Sequence, residues 1–181
     1  MRKYSFVALL TTLVIFITSF ANANDKFVDS DDYKKSGFQK CFIGDYSLLT
    51  EGDDVDWVWI EKGANLSKHK IVLSSVTSQA RGVSGSDKNI LKIALQEEIE
   101  DMDAHSGSPL TMDVCIYHFK DATSTPYVGH YLAQAELGIE AIIKDKDKTV
   151  AIIRHYKKDE RSKEGVSGEL AEDIIEFIED N

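Results

Sequence analysis

The stretch AQAELGIEAIIK (residues 133–144), followed by DKDK (145–148) and TVAIIRHY (149–156), decides the reading of the chain. Ala133, Ala135, Leu137, Ile139, Ala141 and Ile143 fall on alternate positions, and Gln134, Glu136, Gly138, Glu140 and Lys144 fall between them. A strand turns successive side chains to opposite faces, so the first set predicts a buried face and the second a face in water. Ile142 is the one apolar intruder on the wet positions. Asp145–Lys148 reads as a charged turn. Val150, Ile152 and Ile153 then resume an apolar strand that continues through Arg154, His155 and Tyr156. Two such runs joined by a short polar link predict an antiparallel hairpin. Alanines on its buried face let the covering layer come close, which suits helices lying on a sheet.

Outward from this hairpin, V-D-W-V-W-I (Val55–Ile60), K-I-V-L-S-S-V-T (Lys70–Thr77) and Met112–Phe119 read as further strands. Asn89–Met102 carries Ile90, Leu91, Ala94, Leu95, Ile99 and Met102 at three- and four-residue spacing, which predicts a helix, with Ser86 or Asp87 as its N-cap. Glu98 falls within that stripe, as a carboxylate that reaches out along the face or as a buried, paired one. Ala104–Pro109 reads as a turn-rich link and Lys157–Ser167 as a charged loop. A last helix is expected from Glu169, with Leu170, Ile174, Ile175, Phe177 and Ile178 on one side. The order is β-β-α-β-β-β-α. A right-handed strand–helix–strand step places Lys70–Thr77 parallel to Met112–Phe119. The expected fold class is α+β: a single mixed sheet of about four to five strands with two helices on one face.

The N-terminus bounds the compartment. Arg2 and Lys3 precede an apolar run, Phe6–Thr18, and Ala21-Asn22-Ala23 is an A-x-A site. This is the layout of a secretory signal peptide cut after Ala23. The run is short against the ~20 apolar residues of a bilayer span, and no cysteine follows it to take a lipid. The expected organisation is a signal peptide (1–23), a loose arm (24–35) and one α+β domain (36–181), periplasmic or secreted, with no lipid anchor and no transmembrane segment after cleavage. The chain of 181 residues has a formal net charge of −10. Cleavage removes Arg2 and Lys3 and no acid, which leaves 19 basic against 31 acidic residues. That argues against nucleic acid and anionic lipid as partners, since both are bound through Lys and Arg.

Cys41 and Cys115 are the two cysteines. In an oxidising compartment they could pair, tying the N-terminal segment to the sheet and stabilising by about 3–4 kcal/mol. Alternatively they are two buried thiols that never meet. Their spacing excludes a C-x-x-C redox or zinc pair. Around Cys41, the apolar and aromatic residues of Ser36–Leu49 show no period, which predicts an ordered wrap along the domain.

Within this region, S-G-F (Ser36–Phe38), G-D-Y-S-L-L (Gly44–Leu49) and W-I-E-K-G-A-N-L-S-K-H-K-I-V-L (Trp59–Leu73) resemble a family of bacterial envelope lipoproteins with an S-G-F-L-x-D-Y-S-x-L motif. The match covers about Ser36 to Val76. The chain departs from the pattern by extra residues, Cys41 among them, by His69 where the family tends to have tyrosine, and by lacking the lipid-bearing cysteine. The family has no established activity, so the resemblance implies a compartment and a fold.

Chemistry-bearing constellations are sparse. Gly-Val-Ser-Gly occurs at Gly82–Gly85 and Gly165–Gly168, each expected just before a helix, where it is either an anion-holding turn or an ordinary helix entry. Neither copy has the spacing of a phosphate loop or a serine elbow. Of His69, His105, His118, His130 and His155, His118 and His130 could face each other across a strand pair and begin a metal site, with His155 or Glu98 as a third ligand. The alternative is one buried and one exposed strand histidine. Trp57 and Trp59 share a strand face and either pack against the wrap or stack a sugar or peptide. No catalytic residue and no cofactor is singled out. The expectation is a non-catalytic binding or structural module of the envelope, with an envelope or periplasmic protein partner. A small-ligand or metal-binding protein is the alternative, and a hydrolase without a recognisable motif comes third.

Overall fold

A computed structural model describes residues 40–102, 107–122, 134–159 and 162–181. The expected signal peptide, the arm, Ser36–Phe38 of the family motif, Ala133, His105 and His130 lie outside them. Six strands form one mixed sheet: β1 (Thr50–Glu51), β2 (Trp57–Ile60), β3 (His69–Ser78), β4 (Gly107–Lys120), β5 (Ala135–Asp145) and β6 (Lys148–Asp159). Two helices, α1 (Gly85–Asp101) and α2 (Lys163–Asp180), complete the α+β fold. The spatial order is β1-β2-β6-β5-β4-β3. β3 and β4 pair in parallel across the α1 crossover, and every other neighbouring pair is antiparallel.

The hairpin stands at the centre. Asp145 pairs with Lys148 across a two-residue turn, in which Lys146 takes φ 57°. Leu137, Ile139, Ala141 and Ile143 of β5 join Ala151 and Ile153 of β6 in the core. Leu91 and Leu95 of α1 and Leu170, Ala171, Ile174 and Ile178 of α2 belong to the same core, so both helices cover this face.

Element ends differ from expectation where local bonds reach further than hydrophobic period. α1 begins at Gly85, because Ser84 caps it. Its hydroxyl accepts from the Asp87 N–H while the Asp87 carboxylate takes the Ser84 N–H. That reciprocal box closes two orphan donors and adds a turn ahead of Asn89. β4 starts at Gly107, so the expected link is shortened. Pro109 sits there at a register shift, before β5 begins pairing at Thr111, where its missing N–H breaks no ladder bond on that side.

The expected charged loop Lys157–Ser167 is mostly regular structure: β6 runs to Asp159 and α2 starts at Lys163 after the Ser162 cap. The second Gly-Val-Ser-Gly therefore lies inside α2. Val166 is 1% exposed one turn before Leu170, and this burial outweighs a helical glycine's cost of about 1 kcal/mol.

Candidate functional site

Positions whose alternation predicts a face in water are buried at the centre of the sheet. Register places Thr77, Cys115, Glu140, Arg154, Trp57 and Glu51 in one row across all six strands, on the face opposite the helices. Glu140 has no exposed surface and Arg154 is 4% exposed. The cause is the segment Lys40–Leu49, which straps over the middle of this face. Cys41 is joined to Cys115 by a disulfide, Cα–Cα 5.9 Å. The next two residues, Phe42 and Ile43, donate their backbone N–H groups to one Glu140 oxygen at 2.7 and 2.9 Å. The other Glu140 oxygen accepts from Arg154 Nη1 at 2.8 Å. Arg154 also donates to the Tyr46 hydroxyl at 3.2 Å. Its guanidinium lies 3.6 Å from the Tyr117 ring centre and 4.7 Å from that of Tyr46.

A buried carboxylate with two backbone donors and an arginine is a compensated charge. Alternation alone cannot distinguish a wet face from one covered by a segment distant in sequence. The legible signal was the apolar content of the wrap. Gly138 belongs to the same arrangement. A Cβ there would stand 2.5 Å from the Tyr117 ring, so only glycine lets that ring lie over β5. Burial drives the Tyr117 hydroxyl pKa upward, against the pull of Arg154.

Charged clusters flank this centre along the same face. On one side, Glu136 takes bonds from Lys120 (2.6 Å), Tyr156 (2.9 Å) and His118 Nε2 (3.0 Å). Burial alone would raise its carboxyl pKa, but these three donors hold it below the ordinary value. On the other side, Asp113 accepts from Ser75 (2.6 Å) and Lys144 (2.9 Å), and these bonds likewise outweigh burial and lower its pKa. Ile142, the intruder, packs to 8% exposure in register with Ile152. Trp57 is buried and Trp59 half-buried on this face.

Of the expected metal set, His130 lies outside the described residues, and the two expected third ligands stand on the other side of the sheet from His118. His118 pairs in register with Gly138 on the strapped face and bonds to Glu136. His155 pairs with Ile139 on the helix face. There it lies between Asp173 of α2 (Nε2, 2.7 Å) and Asp56 (Nδ1, 3.1 Å). Glu98 is on α1, also on the helix side, so neither can reach His118 through the sheet. Glu98 is half-buried, and burial followed by repulsion from Glu172, Asp101 and Glu97 raises its pKa. Among the described residues no three His, Cys, Asp or Glu side chains are grouped to hold a metal ion.

Sequence reasoning missed the His155 bridge. The turn that leads into β2 and the helix α2 are distant in sequence and meet only through the fold. At the first Gly-Val-Ser-Gly, the helix N-terminus is already occupied by Asp87, whose partner is Lys163 of α2 at 2.8 Å. Burial opposes ionisation of Asp87, but Lys163 and Ser84 outweigh it and hold the carboxyl at about 2. A cleft of about 470 Å³ lies at one end of the sheet, lined by Lys62, Leu66, Lys68, His69, Leu110 and Lys148, among others.

No protein-family model matches the chain, and none of the curated proteins matches it. Solved structures do show similarity. A presumed lipoprotein of Caulobacter crescentus is 12% identical with TM-score 0.42, over 64% of this chain and 90% of that one. The PelC dodecamer from Paraburkholderia phytofirmans is 12% identical with TM-score 0.43, over 67% and 95%. A minor lipoprotein of Acinetobacter baumannii is 10% identical with TM-score 0.30, over 59% and 93%.

Proposed function

We propose that the chain is exported to an oxidising envelope compartment and acts there as a non-catalytic binding module. The observation that carries this is the disulfide between Cys41 and Cys115, which closes a sequence separation of 74 residues and pins the strap to the sheet. Such a bond persists in exported compartments and is rare where thiols are kept reduced. The leader layout of residues 2–23 supports the same compartment. Support for a binding role comes from the strapped face. Its Glu136 and Asp113 carboxylates are partly exposed and held in place by Lys120 and Lys144, so they present fixed acceptors. The family resemblance of Ser36–Val76 agrees with the envelope assignment.

The test is a cross-linked pull-down of the tagged chain from intact envelopes, read by mass spectrometry. The proposal expects one dominant envelope partner, lost when the tagged chain is unfolded before cross-linking. Absence of any partner above background, together with turnover of an ester, glycoside or peptide substrate, would overturn it.

A further inference from the structure

From Lys62 to Ser86 the chain contains no acidic residue, although it has 31 of them among 181. The same 25 residues carry Lys62, Lys68, Lys70 and Arg81. This basic segment builds β3, and β3 closes one side of the sheet with β4 as its single neighbour. The opposite edge, β1, is two residues long, whereas β3 has ten. Among the described residues no other strand bonds to the outer side of β3, and the His69 N–H turns back to the Leu66 carbonyl. Val72 on this strand is 42% exposed. Lys68, Lys70 and Arg81 are exposed and enter no ion pair among the described residues.

An edge of this length, unpaired among the described residues, is a template for another extended chain. What it accepts is set by charge. Lys68 and Lys70 stand at one end and Arg81 just past the other, with Ile71–Thr77 apolar or hydroxyl-bearing between them. We propose that β3 is the docking edge of this protein, and that its occupant is an extended partner segment with β-branched residues in the middle and carboxylates at both ends, added as a seventh strand. A second copy of the chain fits poorly. It would set two basic edges against each other and join two molecules of net charge −10. Lys70 also blunts the edge toward a like strand, which would bring its own lysine against it. An acidic end turns that same lysine into an attraction.

This inference rests on the binding-module reading and names its surface. The test uses the oxidised chain and two synthetic peptides, one with an alternating valine–threonine core flanked by aspartates and one with the same core flanked by lysines. Fluorescence anisotropy measures binding, and amide hydrogen exchange locates it. The aspartate-flanked peptide is expected to bind and protect β3 amides, while the lysine-flanked peptide does not. The combined variant Lys68→Glu, Lys70→Glu, Arg81→Glu should weaken binding by about tenfold with an unchanged melting temperature.

Failure of the acidic peptide to bind, binding without protection of β3, or equal binding to the charge-reversed variant would overturn the proposal. So would a dimer in sedimentation that Val72→Lys dissolves, since a second copy would then hold the edge. An envelope partner cross-linked through the strap, with β3 unprotected, would leave the module reading intact and remove this one.

Discussion

Arg154 is the residue on which the strapped face depends. Its charge is compensated by Glu140 and its guanidinium is enclosed by two tyrosine rings. Replacing it alone leaves Glu140 buried and unpaired, so Arg154→Met should cost about 3–5 kcal/mol in urea unfolding. Adding Glu140→Gln removes the stranded charge, and the double variant should be more stable than Arg154→Met by itself. Glu98 shows the opposite balance. Its raised pKa means the folded state binds the proton more tightly than the unfolded chain, so stability falls as pH rises from the ordinary glutamate value through the raised one. Glu98→Gln should therefore stabilise at pH 7 by about 0.5 kcal/mol, the scale of like-charge repulsion on a helix. Melting scans should show the gain fading below pH 4. Both residues expose the limit of period-based reading. Alternation assigns a side chain to a face, and only the fold decides whether that face meets water, a strap or another helix.

At the scale of elements, the hairpin was legible because side-chain period, β-branched content and the DKDK turn all agree. The turn still carries strain. Lys146 holds φ 57°, a conformation costly for a residue with a Cβ. Lys146→Gly should stabilise by about 0.5 kcal/mol, the relief of that strain less glycine's greater entropy loss. An equilibrium urea titration would measure it. Helix entries were less legible, because a cap is a reciprocal bond that hydrophobic period does not register. Asp87 completes the α1 cap and anchors Lys163. Its pKa is held at about 2 in the fold, so its contribution is complete above the unfolded value near 4 and is lost as pH falls toward 2. Asp87→Asn should cost about 1 kcal/mol at pH 7 and little at pH 2, read by thermal melts at both values.

Across the whole molecule, composition and the leader layout pointed to a compartment, and the element order pointed to a mixed sheet under two helices. The pairing of Cys41 with Cys115 stayed open in the sequence, since 74 residues of separation say nothing about which strand the wrap will cross. In the structure that pairing, the Phe42 and Ile43 donors and Tyr46 act on one row of the sheet. Reduction of the disulfide should therefore lower stability by about 4 kcal/mol and loosen Lys40–Leu49 first, seen as early protease cleavage within that segment.

A sheet strapped by this disulfide is expected to belong to an exported protein. The most direct measurement is thiol trapping in intact cells, followed by fractionation and peptide mass spectrometry. The expected result is a chain cut after Ala23, found outside the cytoplasm, with the Cys41 and Cys115 peptides linked until reductant is added. A full-length chain in the cytoplasm, alkylated at both cysteines without reductant, would contradict it.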